Sequence, residues 1–114
     1  MDLEEELLKW ETEFKRGFSK PFILLSLADK PNYPYQIIKS INRNTKGKIS
    51  IAGSNIYPIL RNLEDLGLIT NEKDSNSLKR IYSLSEKGEQ FLADLKFIMD
   101  NFMKIIQTMI DLKE

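Results

Sequence analysis

Residues 52–69, AGSNIYPILRNLEDLGLI, constrain the fold more tightly than any other stretch of this chain. They read as a short helix with a capped start and a glycine stop, followed at once by an apolar strand. Ser54 and Asn55 are N-cap residue types, and Pro58 is tolerated only where a helix has just begun. Gly67 follows the last apolar residue and supplies the left-handed conformation that ends the helix. Ile56, Leu60, Leu63 and Leu66 fall on one stripe, while Ser54, Tyr57, Pro58 and Arg61 share the other face. A hydroxyl, a phenol and a guanidinium at helical spacing suit a groove of DNA.

Upstream, Asp2 with Glu5 three positions on is a capping signature. Leu3, Leu7, Trp10 and Phe14 then recur at steps of four, three and four, the seam of an amphipathic helix ending near Gly17. Ser19 is placed to cap a second helix, with Pro21 in its first turn and an almost wholly apolar run from Phe22 to Ala28. A third helix starts around Pro34 and runs to about Arg43, and Asn44 to Lys48 is a polar loop.

Beyond Gly67, Leu68 to Thr70 opens a strand, Asp74 to Ser77 is a turn cluster, and Lys79 to Leu84 returns as a second strand. Tyr82 alternates with Ile81 and is expected to face the core. Ser85 caps a last helix to about Leu112. In it Phe91, Leu95, Ile98, Phe102, Ile105, Met109 and Leu112 recur at alternating steps of four and three, widened by Leu92, Met99 and Ile106. The fold class is therefore mainly α with a small two-stranded β wing, a winged helix-turn-helix. Its expected segments are 1–17, an N-terminal dimerisation helix; 18–85, the DNA-binding part; and 86–114, a C-terminal dimerisation helix.

The 114 residues suffice for one domain with its own core. With no cysteine and no histidine, disulfides, thiolate zinc sites and the usual nucleophile–imidazole chemistry are excluded. There is no glycine-rich phosphate loop either, so neither an enzyme nor a cofactor or metal is expected. No apolar run approaches the ~20 residues of a membrane span. Met1 is followed by Asp2 and Glu4 to Glu6, where a signal peptide would be basic and then apolar, so a cytoplasmic protein is expected. The zero net charge is unevenly placed: residues 1–19 carry −3, residues 20–84 carry +5 and residues 85–114 carry −2. A basic middle between acidic ends is the footprint of a nucleic-acid module; ordinary scatter of surface charge is the alternative.

Three segments resemble the PadR family of winged-helix transcriptional regulators, in its smaller form with one C-terminal helix. Pro34-Tyr35-Gln36-Ile37-Ile38-Lys39 is similar to the family's Gly-Tyr-Glu-Ile motif, with proline in place of glycine. Residues 55–64, NIYPILRNLE, resemble its recognition-helix motif, and residues 80–88, RIYSLSEKG, its wing exit. The resemblance covers roughly residues 19–95, and the middle segment is its most specific part. The family wing is often rich in Arg and Gly, whereas here Asp74 to Leu78 is nearly uncharged. The resemblance implies a dimeric DNA-binding regulator, often a repressor relieved by a small aromatic ligand.

The expected DNA-contacting residues are Lys46, Lys48, Ser54, Asn55, Tyr57, Arg61, Lys79 and Arg80. Lys46 and Lys48 precede the recognition helix, and Lys79 and Arg80 supply the charge of the wing. For Tyr57 the alternative is that its ring covers the loop, and for Arg61 a surface pair with Glu64 or Asp65, worth under ~1 kcal/mol. The expected dimer interface consists of Leu3, Leu7, Trp10, Phe14, Phe91, Leu95, Ile98, Phe102, Ile105 and Met109; packing of the last helix on the first helix of the same chain is the alternative. Such a homodimer presents two recognition helices to a palindromic operator with half-sites ~34 Å apart. A gap lined by Trp10, Phe14, Phe91 and Phe102 suits a flat aromatic effector. The competing function is a winged-helix dimer that has lost DNA binding and serves as a protein–protein adaptor.

Overall fold

The computed structural model describes residues 2–113; Met1 and Glu114, the outer ends of the first and last expected segments, lie outside the described residues. Five helices and one hairpin follow in the order α1 (Leu3–Arg16), α2 (Ser19–Asp29), α3 (Pro34–Asn44), α4 (Gly53–Asp65), β1 (Ile69–Lys73), β2 (Arg80–Leu84) and α5 (Glu86–Ile110). The two strands pair antiparallel, with Asn71 opposite Tyr82 and Lys73 opposite Arg80. This is the mainly helical winged helix-turn-helix expected above. No helix among the described residues is long and apolar enough to cross a membrane.

The core is one cluster. Ile23, Leu24 and Leu27 of α2 meet Ile37 and Ile41 of α3 and Ile56, Leu60 and Leu63 of α4, all buried. Leu68, Ile69 and Tyr82 close the cluster from the hairpin side, so Tyr82 faces inward as its alternation with Ile81 implied.

The end of α4 is a Schellman motif. Gly67 takes φ +77°, its N–H donates to the Glu64 carbonyl at 2.8 Å, and the Leu68 N–H donates to the Leu63 carbonyl at 3.0 Å. Ser85 then joins this corner to α5. Its hydroxyl donates to the Gly67 carbonyl at 2.6 Å and accepts the Gly88 N–H at 2.9 Å, the expected cap. A β-carbon at Gly88 would run into the Leu68 backbone carbonyl, so only glycine lets α5 start so close to the hairpin. At the other end of the chain, Asp2 caps α1 by accepting the Glu4 and Glu5 N–H groups.

Two other caps differ from expectation. Helix α4 begins at Gly53 with Ala52 as its cap, so Ser54 and Asn55 lie within the first turn and cap nothing. The reason is apolar: Ile51 before the cap and Ile56 at the fourth helical position are both buried, a hydrophobic staple that outweighs a side-chain hydrogen bond. Pro58 therefore sits at the sixth position, inside the helix, and leaves the Ser54 carbonyl without its ladder donor. Nor does Ser19 cap α2. It is the first helical residue, after Phe18 in helical conformation (φ −88°, ψ −12°), and the Phe18 N–H bonds back to the Lys15 carbonyl at 3.0 Å. The joint between α1 and α2 is a single tight turn with no room for an extended cap residue.

The terminal helices stand apart. α1 has no buried residue and no extended packing on any other element. α5 packs on α2 and β2 through its first turns only, burying Gly88 and Leu92. Leu92, expected to widen the outer seam, is thus a core residue. Leu95, expected in the dimer interface, is half-buried against the core of its own chain. Beyond Leu95 the helix, about 37 Å long as a whole, runs out with its apolar side chains bare except for the half-buried Met99. α5 ends at Ile110, leaving Leu112 beyond it.

Candidate nucleic-acid interface

Helix α4 has one face in the core and one in solvent. Ser54, Tyr57, Pro58 and Arg61 are all exposed and lie on the outward side. Tyr57 does not fold over the preceding loop; 57% of its surface is open. Arg61 pairs with neither Glu64 nor Asp65, the two ion pairs among the described residues being Lys15 with Glu11 and Lys104 with Asp100. Glu64 is committed elsewhere: it accepts from the Asn71 side-chain amide, whose carbonyl accepts from Arg80 Nη1 at 2.9 Å. That chain of three side chains ties the wing to α4 and leaves the Arg61 guanidinium uncommitted.

A cleft flanks each side of this helix face. The larger, about 750 Å³, lies between the start of α3, α4 and the wing, and is lined by Tyr33, Tyr35, Gln36, Tyr57, Leu78, Lys79, Arg80 and Tyr82. It gathers every tyrosine of the chain. Lys39 stands over the Tyr35 ring with Nζ 5.0 Å from its centre, a cation–π pair that holds a positive charge at this edge. Burial raises the Tyr82 phenol above its ordinary range, and the nearby Glu64 charge adds to this, so it stays protonated at neutral pH.

On the other side, Asn55 turns away from Tyr57 into a cleft of about 600 Å³ lined by Arg16, Ser19, Lys20 and Pro58. Lys48 reaches the same corner, beside Asn55, Lys15 and Arg16. Lys46 lines neither cleft. It occupies the loop tip with φ +53°, followed by Gly47 at φ +76°, a left-handed pair that Thr45 supports by donating its hydroxyl to the Ile41 carbonyl and accepting the Ile49 N–H. The structure therefore splits the expected residues into a tyrosine-rich set with the wing and a basic set with the α1–α2 joint.

Sequence reasoning missed Tyr35, Gln36 and Lys39 on the first side and Arg16 and Lys20 on the second. The motif at residues 34–39 carried a signal for the former. Nothing local marks Arg16, which comes to this corner only through the tight turn at Gly17 and Phe18.

A sequence profile described as the transcriptional regulator PadR-like family matches residues 23–94. The chain belongs to this family. The family is one of transcriptional regulators. The transcriptional regulator YqjI of Escherichia coli K12 is 32% identical over 81 residues, 71% of this chain but only 39% of that protein. The chain thus spans well under half the length of this curated relative. Among solved structures, a PadR-family regulator from Eggerthella lenta superposes with a TM-score of 0.81 at 21% identity, covering 97% of both chains. Bacillus subtilis PadR in complex with operator DNA aligns with a TM-score of 0.59 at 30% identity, over 67% of this chain and 45% of that one.

Proposed function

We propose that this PadR-like chain is a homodimeric repressor that binds a palindromic operator by inserting α4 into the major groove. The observation that carries the reading is the outward face of α4: Ser54, Tyr57 and Arg61 are exposed and uncommitted, with cations on both flanks. Phosphate contacts position such a helix and base contacts specify. Arg61 is the base reader of the set; Lys48, Lys79, Arg80 and the phenol of Tyr57 suit phosphate. Ser54 and Asn55, lying in the first turn, offer short polar groups at the end of the helix that meets the groove. Lys46, at its loop tip, adds charge outside the two clefts. The operator-bound Bacillus subtilis PadR supports the reading by likeness.

Dimerisation follows from the bare seams of segments 1–17 and 86–114. Leu3, Leu7, Trp10 and Phe14 line α1, and Phe91, Ile98, Phe102, Ile105 and Met109 line α5, all exposed in the single chain. Leu95 marks the point where that seam leaves the core. Several such side chains at ~1.5–3 kcal/mol each are enough to hold two chains together. Rings of Trp10, Phe14, Phe91 and Phe102 in that seam suit a planar aromatic effector, which titration read by Trp10 fluorescence together with operator affinity tests. No response of either to any compound makes the regulator constitutive.

The deciding experiment is a gel shift on sites selected from random DNA by the wild-type protein. Arg61→Ala is expected to lose ~1–3 kcal/mol of specific affinity while sedimentation still shows a dimer. No binding to any selected DNA leaves the adaptor reading in its place.

A further inference from the structure

The wing is tied to the rest of the domain at two levels. At its base Asn71 of β1 donates to Glu64 of α4, and opposite it Asn32, in the connection from α2 to α3, bridges to Tyr82 of β2. The Asn32 N–H donates to the Tyr82 carbonyl at 2.9 Å, and the Tyr82 N–H donates to the Asn32 carbonyl at 2.8 Å. Toward the tip, the Tyr33 hydroxyl donates to Asp74 Oδ2 at 2.7 Å, joining groups 41 positions apart in sequence. Asp74 lies one step beyond β1, where its N–H donates to the Lys79 carbonyl at 2.9 Å. From the level of Tyr82 to that of Lys79 is about 10 Å of strand. A hairpin held at its base alone swings about that hinge, and a second tie further along removes the swing.

The second tie is made from one carboxylate. Asp74 Oδ1 accepts the Asn76 N–H at 3.1 Å and so closes the tip turn, while Oδ2 takes the phenol. The bond from Tyr33, and after it the Asn76 amide, hold the Asp74 carboxyl below its ordinary range; the same bond raises the Tyr33 phenol. Donor and acceptor are therefore both in the required states at neutral pH. Lys79 and Arg80 line the same cleft as Tyr33. Arg80 is oriented by Asn71, whereas the Lys79 side chain forms neither of the two ion pairs among the described residues and follows the wing that carries it.

We propose that Tyr33 and Asp74 are positioning residues for DNA: their hydrogen bond sets the wing angle at which Lys79 and Arg80 meet the phosphate backbone beside α4. The inference rests on the DNA-binding reading above and adds a pair of residues that touch no nucleic acid themselves. Their effect is transmitted entirely through the wing cations.

That dependence makes the test one of non-additivity. Affinity for the selected site is measured against salt concentration for the full-length wild type, Tyr33→Phe, the Lys79→Ala/Arg80→Ala double variant and the combination of all three. Tyr33→Phe keeps the ring and removes only the hydroxyl. It is expected to flatten the slope of log affinity against log salt by ~0.9 for each phosphate that the wing no longer neutralises, up to the change seen in the double variant. The combined variant should match the double variant, because a misplaced wing without cations has nothing further to lose. Asp74→Ala removes the same bond and also opens the tip turn that Oδ1 closes, so it should flatten the slope at least as far as Tyr33→Phe. Additive losses in the combined variant, or a lower melting temperature with an unchanged slope, overturn the proposal. If the wild type binds no selected DNA, the DNA reading fails and takes this inference with it. If Arg61→Ala loses affinity while Tyr33→Phe keeps the full salt slope, the positioning role alone is overturned.

Discussion

Leu60 in α4 and Leu7 in α1 hold equivalent places on amphipathic helices, yet Leu60 is 0% exposed and Leu7 is 71% exposed. Both stripes repeat at helical spacing and both begin from sound local chemistry. They differ in what faces them. α4 packs on α3 and β1 and shares the core with α2, whereas α1 has no extended packing on any other element, and α5 has company only for its first turns. The body of the molecule is thus complete as a monomer and its two ends are not. The asymmetry of charge follows the same division: the completed body carries the excess of cations, and the bare helices carry the excess of carboxylates.

The sharpest way to break this comparison is Phe102→Lys, in the exposed seam of α5. Removing two copies of a buried phenylalanine costs ~3–6 kcal/mol, so the dimer dissociation constant should rise about 100-fold or more. Sedimentation at micromolar concentration should show monomer, with the helical content unchanged. A wild-type protein that sediments only as monomer would refute the contrast between the two regions.

Next in size is the pair of leucines itself. Leu60→Ala should cost the fold ~2–5 kcal/mol, read as a fall in the thermal midpoint. Leu7→Ala, measured in the monomeric Phe102→Lys background, should leave that midpoint in place, and in the wild-type background should weaken only the dimer. The smallest expected effect belongs to Leu8, next to Leu7 and 63% exposed, but on the far side of α1 from the seam. Leu8→Ala should change both fold and dimer by less than ~0.5 kcal/mol. Equal effects at positions 7 and 8 would mean that α1 docks by a face other than its apolar stripe.

Much of the fold was legible because its signals are local. The apolar stripe of α4 from Ile56 to Leu63, the glycine at 67 and the serine at 85 each act within a few residues, and the backbone follows them; Leu66, expected on that stripe, caps the helix and is exposed. The outward face of α4 was legible for the same reason, since Ser54, Tyr57 and Arg61 share a side of the helix wherever it is placed. Ser19, Ser54 and Asn55 misled because a polar residue near a helix start competes with apolar neighbours for the decision. At α4 the neighbours won through the burial of Ile51 and Ile56.

By itself, then, the sequence determined which elements form, which faces must be covered and where positive charge concentrates. Periodicity reports that a stripe needs a partner and says nothing of which partner arrives. Only the tertiary structure decided that Leu92 and Leu95 belong to the body while Phe102 stays bare, and that Arg16 and Lys20 stand beside Asn55. The same holds for the phenol of Tyr33, which meets the carboxylate of Asp74 across 41 positions. Such meetings depend on how helices and hairpin pack around one core, a property of the whole chain that no window of residues contains.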